Sequence, residues 1–394
     1  MRKILIILIV TLLLVIASPL KREIFNASAT SEEDELMDEI SRELDQLFIK
    51  GELEKFFQQL ENENKYDFGI GFRDAVEKIL RGEYKSVNDF YNLIFKAITT
   101  SVSKILFSST IIIVLSLLYS LSKNLTSGFL RNETNNVIYY VIYSSVLLVL
   151  CTITTNSIIL VKSVLTQISN LSEIAMPILI TLVTAVGGVG SASSYSTITI
   201  IFSEVVIKIA DKVIMPMYIA CIVFSFISGF SKNIKLDRLI SAIQTIAKWI
   251  MGTMFGVIIA TTATHGIVGA AVDGISIRSA KFALSSYVPI LGGYLSQGFD
   301  VITASAVLLK NSIGICSIIL LFLVVVKPIV EIVITSLAFK ILAGITQIIQ
   351  VDGISDLLNE SAKNLGILVA LLLGCVFLVC LIIIGMISAF NGIV

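Results

Sequence analysis

From Ile105 onward the sequence is a succession of apolar runs, each long enough to cross a bilayer, separated by short charged stretches. About 20 apolar residues cross a hydrocarbon core as a helix. Lipid supplies no hydrogen-bonding partner, so a chain of such runs has one solution, in which each run satisfies its own amides as an α-helix. Length and lack of charge mark clear spans at 105–122, 137–161, 213–230, 250–272, 312–326 and 365–390. The expected fold class is all-α: a polytopic α-helical membrane protein with a small helical extracytoplasmic N-terminal head. Composition agrees, because 56% hydrophobic against 15% charged residues lies outside the range of soluble chains. A soluble enzyme is thereby not expected.

The organisation falls into three parts. Residues 1–29 carry Arg2 and Lys3, the unbroken apolar run Ile4 to Ala17, and Ala27-Ser28-Ala29 as a small-x-small site. They read as a signal peptide, with an uncleaved anchor as the rival, and both put the residues beyond Ala29 outside the cytoplasm. Residues 30–100 form an acidic head, in which Leu36, Ile40, Leu44, Leu47 and Phe48 recur at helical spacing, as do Leu53, Phe56, Phe57 and Leu60. So short a segment buries a marginal core, and docking on another protein is expected beside a self-packed bundle. Residues 101–394 form the multi-span membrane domain. The zero net charge hides an asymmetry: Thr30 to Asn92 holds 17 acidic and 8 basic residues, Leu93 to Val394 holds 11 and 17. That division suits a head on the far side of the membrane from basic cytoplasmic loops.

Two segments resist a simple span. Ala175 to Phe202 contains Pro177 and Gly187-Gly188-Val189-Gly190, poor helix material in its middle. If it crosses once, the Lys and Arg count is 7 inside against 8 outside, which fails the positive-inside rule. If it returns as a broken or re-entrant hairpin, the loop Ser231 to Trp249 becomes cytoplasmic and the count is 9 against 6. The hairpin is preferred. Asp273 to Asn311 is too polar to span simply and too apolar for a solvated loop, so it is expected at the interface or re-entering. A partial likeness between these two segments raises an internal repeat, as in secondary transporters.

Charges near membrane depth are the candidates for a transport path: Glu204, Lys208, Asp211 and Lys212 before one span, and Lys327 with Glu331 after another. Glu204/Lys208 and Lys327/Glu331 have i,i+4 spacing, so each pair can neutralise itself on one helix face. Interfacial pairs and snorkelling lysines are the plainer reading. His265, among threonines in mid-span, is either a proton relay or a packed helix contact. Lys232, Lys235, Arg238 and Lys248 form a basic segment suited to docking a cytoplasmic partner. All five cysteines sit in apolar runs without a CxxC spacing, and His265 is the single histidine. No metal, cofactor or nucleic acid is implied, and the partner common to every reading is the lipid bilayer. Walker A, HExxH and GxSxG motifs are missing, so an enzyme is not expected and energy for transport must come from an ion gradient or a separate ATPase.

The stretch Asp273-Gly274-Ile275-Ser276-Ile277-Arg278-Ser279-Ala280-Lys281-Phe282, then Pro289 with Gly292-Gly293, then Ser305 to Gly314 with Lys310, resembles the stage III sporulation protein AE family of endospore-forming Firmicutes. The block Ala175 to Ser194 and the order of leader, head and body resemble it too. The resemblance implies a membrane component of the multiprotein channel between mother cell and forespore, in the outer forespore membrane with its head in the intermembrane space. It implies as partners a cytoplasmic secretion-type ATPase and ring-forming intermembrane proteins. Two readings from other classes stand beside it: an ion-coupled secondary transporter acting alone, and an assembly platform that conducts nothing.

Overall fold

The computed structural model describes residues 87–126, 132–230, 236–287 and 292–389. The leader, the head up to residue 86, Lys232, Lys235 and Pro289 lie outside the described residues. Among those described the backbone is helical throughout, with no strand. The helices are α1 (Val87–Thr126), α2 (Asn132–Ala185), α3 (Val189–Ile201), α4 (Ile207–Ile209), α5 (Met215–Phe230), α6 (Asp237–Tyr287), α7 (Gly292–Ile348) and α8 (Asp352–Ser388). Two π-helical turns, Phe202–Val206 and Ala210–Ile214, flank α4 and carry the chain from α3 into α5 without a loop.

α1 runs unbroken from Val87 into the first span, so residue 100 falls inside a helix. α2 has 54 residues and keeps Pro177 in its interior. Proline removes one donor from the helical ladder, and nearby the Thr181 hydroxyl donates to the Pro177 carbonyl at 2.8 Å. Pro216 opens α5 directly after the second π turn. It has no N–H to return to the preceding turn, and the helix changes its register where that bond would have formed. The segment Asp273 to Asn311 is helical on both sides of residues 288–291. Gly274, Arg278 and Lys281 lie along α6, and Gly292 and Gly293 open α7.

α8 is the axis of the bundle, with two thirds of its most apolar window buried. It packs most extensively on α7, and also meets α2, α3, α5 and α6. α1 lies outside, against α7 and α2. Several contacts bring helix ends together. Ser120 donates to the Ile349 carbonyl at 3.0 Å, Lys123 to that of Gln350 at 3.4 Å, and Tyr139 to that of Gly229 at 3.2 Å. The end where α1, α5 and α7 stop is therefore the end where α2 and α8 start. An aromatic cluster of Tyr119, Tyr139, Tyr140, Tyr143 and Phe230 closes it.

Candidate functional site

The first irregular feature is the break between α2 and α3. Gly187 has φ of 94°, a left-handed conformation that glycine adopts without strain. Its amide donates to the Thr184 carbonyl and that of Gly188 to the Val183 carbonyl, both at 2.8 Å, which is the Schellman pattern that ends a helix. α3 restarts at once, and Gly188 at its N-cap has no side chain to hold the first free amides. Asp273 supplies the missing acceptor from α6. Its carboxylate accepts from the Gly190 amide at 2.7 Å and from the Ser191 amide at 3.2 and 3.3 Å, and the residue is 1% exposed. A carboxylate at a helix N-terminus is favoured by the free amides and by the helix dipole.

Close approach of the two backbones makes this possible. A Cβ on Gly269 would fall 2.8 Å from the Ser191 Cα, and one on Gly190 would fall 2.9 Å from the Val272 Cβ. Small residues at such a crossing are what apolar helix packing requires.

The second feature is a belt of charge near the middle of the bundle. Lys104 of α1 donates to Glu331 of α7 at 3.1 Å, and Lys162 of α2 lies 3.4 Å from Asp211 in the second π turn. Lys208 and Lys212 are exposed beside Asp211, and Lys327 stands one turn before Glu331, half-buried. The sequence spacing offers Lys327 to Glu331, and the structure also brings Lys104 to it from another helix, because α1 lies along α7 with both helices running the same way. Glu204 lies on the first π turn, and its pairing with Lys208 is outside the described side chains.

The remaining candidates are dispersed. His265 is half-buried on α6, and the hydroxyls of Thr261, Thr262 and Thr264 around it donate back to their own helix at Val257, Ile258 and Ala260. Arg238 and Lys248 are exposed on the first turns of α6. Lys310 is fully buried, and its ammonium donates to the Ala389 carbonyl at the C-cap of α8. Asp273 and Lys310, singled out in the sequence only as parts of a pattern, thus serve opposite helix ends, a carboxylate at an N-terminus and an ammonium at a C-terminus. The sequence reasoning did not find Lys104 and Lys162, nor the buried bond from the Gln244 amide to the Asn364 side-chain carbonyl at 2.8 Å. The one signal for them was a polar residue inside an apolar run.

Six of the helices among the described residues are long and apolar enough to cross a membrane. With that length and composition, the molecule is an integral multi-pass membrane protein. It belongs to the stage III sporulation protein AE family, whose profile it matches over residues 70–390. Among its relatives is Stage III sporulation protein AE of Bacillus subtilis (strain 168), 24% identical over 137 residues, which make up 35% of this chain and 34% of that protein. The chain thus spans about a third of the length of the curated relative it matches. No solved structure matches the chain.

Proposed function

We propose that this chain is a membrane subunit of a multiprotein conduit between mother cell and forespore, and that it forms or gates the conduit. In this reading it sits in the outer forespore membrane with its head in the intermembrane space, where ring-forming proteins bind, and a cytoplasmic ATPase works from the other side. The observation that carries the reading is the segment Phe202–Ile214, two π turns and the short α4 between them, which bears Glu204, Lys208, Asp211 and Lys212. Irregular, charged backbone at membrane depth is tolerated where it lines water or meets protein, and π turns are frequent at functional positions. The basic residues of the loops at the aromatic end, with Arg238 and Lys248 on α6, support assigning that end to the cytoplasm and to the ATPase.

The test is neutralisation of Lys208, Asp211 and Lys212 to Gln, Asn and Gln in sporulating cells. Forespore transcription after engulfment and spore yield should fall at least ten-fold, with membrane levels of the protein unchanged. Normal yield at normal protein level would remove the conduit role and leave the assembly platform. A purified chain that moves an ion on its own would instead establish the secondary transporter.

A further inference from the structure

One level of the bundle carries buried hydrogen-bonding atoms that the protein itself leaves unsatisfied. The Tyr218 hydroxyl of α5, the Ser361 hydroxyl of α8 and the Asn364 side-chain nitrogen, also of α8, have no hydrogen-bond partner among the described residues. The three residues are 2%, 1% and 0% exposed. Buried polar groups are otherwise almost always paired, with protein or with ordered water. Serines in the neighbouring helix donate to the carbonyl four residues back, as Ser312 does to Leu308 and Ser317 to Ile313. Ser361 does not, so its hydroxyl is left for another partner.

Helix register brings these atoms to one layer. Cys221 of α5 has its thiol 3.9 Å from the Ile240 carbonyl of α6, and the charge of Glu360 on α8 acts on it. One turn deeper into the bundle along each helix come Tyr218, Gln244 and Asn364. Gln244 donates to the Asn364 side-chain carbonyl at 2.8 Å and ties α6 to α8 there. Tyr218 shares the buried face of α5 with Cys221, and Ser361 lies one turn before Asn364. The layer is about 18 Å from the aromatic end, whether the rise is taken along α5 from Phe230 or along α8 from Asp352. The surface beside it is charged. Asp352, Asp356, Glu360 and Lys363 follow one another along α8, and Asp237 and Lys248 lie on α6. Asp237 and Lys363 both act on Asp356, and Glu360 and Lys248 both act on Cys221, so the two rows are neighbours. Charges at such depth are kept against water or protein, not lipid.

We infer that α5, α6 and α8 hold a site for water at this layer, bridging Tyr218, Ser361 and Asn364, and that the charged rows of α6 and α8 supply it from the aromatic end. The chemistry selects water. Side chains so deeply buried are beyond the reach of a partner protein. Two hydroxyls and an amide carry no net charge, so an ion would lose more hydration than the site returns. A water needs two to four polar partners, and the layer offers three. This inference stands apart from the conduit reading, because hydration of the purified chain is measured without transport.

The test is X-ray radiolytic labelling of the full-length chain in lipid nanodiscs, read by mass spectrometry, in which hydroxyl radicals formed at a bound water oxidise the side chains around it. Tyr218 should be oxidised about five-fold faster than Tyr143, which is no less buried but donates its hydroxyl to the Phe226 carbonyl. Ser361→Ala with Asn364→Leu should bring Tyr218 down to the rate of Tyr143, while the exposed Tyr140 keeps its rate and reports an intact fold. After rapid mixing with isotope-labelled water, Glu360→Leu with Lys363→Leu should slow arrival of the label at Tyr218 about five-fold. Three results would overturn the inference: Tyr218 oxidised no faster than Tyr143, a Tyr218 rate unchanged by the Ser361 and Asn364 substitutions, or label arrival unchanged by those at Glu360 and Lys363.

Discussion

Asp273 shows how a buried charge is tolerated in an apolar bundle. It has no lysine or arginine as its described partner, and the amides of Gly190 and Ser191 at the start of α3 take that place. Charge-assisted hydrogen bonds of this kind contribute about 1.5 to 3 kcal/mol each to stability, and an acceptor lost from a buried helix start leaves its amides unpaired. Asp273→Ala is therefore expected to lower the unfolding free energy by about 2 to 4 kcal/mol, read as the midpoint of denaturant unfolding in detergent. Asp273→Asn keeps one oxygen and should lose roughly half as much. An unchanged midpoint for the alanine variant would show that α3 starts without this carboxylate. Asp273 was visible in the sequence as a residue of a recurring pattern. Its role was not, because its partners are backbone groups more than 80 residues away, and backbone amides carry no sequence signature.

At the scale of elements, long helices here are set in register by few polar contacts. Gln244 of α6 and Asn364 of α8 meet in a buried side-chain pair, while the contacts above and below it are apolar and do not specify a vertical position. Side-chain hydrogen bonds between membrane helices couple by about 0.6 kcal/mol on average and up to about 1.7. The double-mutant cycle of Gln244→Leu and Asn364→Leu should give about 1 kcal/mol of coupling. Zero coupling would mean that the pair does not hold the register of α6 and α8. The apolar runs 105–122, 137–161, 250–272 and 312–326 each fall within one helix, and 213–230 begins in the second π turn and continues as α5. Helix ends were less legible. α7 extends from Gly292 to Ile348 across Lys310, Lys327, Pro328, Glu331 and Lys340, because packing against α8 and α1 sustains helix through residues that a hydropathy window treats as boundaries. Conversely, Gly187-Gly188 marked a true break, since a left-handed residue and two free carbonyls are a local requirement that local sequence expresses.

For the whole molecule, the arrangement of ends makes a topological prediction. The loops after α1, α5 and α7 share one end of the column, and the turn between α2 and α3 is at the other. Single cysteines at Arg238 and Gln350 should be labelled by an impermeant reagent from the same side of the membrane, and one at Val189 from the opposite side. Labelling of Arg238→Cys and Gln350→Cys from different sides would exclude the bundle as a transmembrane unit.

The sequence by itself determined the class. Runs of apolar residues in a chain with few charges have to be helices in lipid, because every amide must be paired within its own segment, and that requirement is local. It also placed the helix break at Gly187-Gly188 and the charged residues that interrupt the spans. Only the tertiary structure decided what those charges meet. Lys104 reaches Glu331, Lys162 reaches Asp211 and Asp273 reaches the start of α3 through contacts between helices far apart in the chain. Such contacts depend on how apolar faces stack, and apolar faces are too alike along their length to announce their partners or their height.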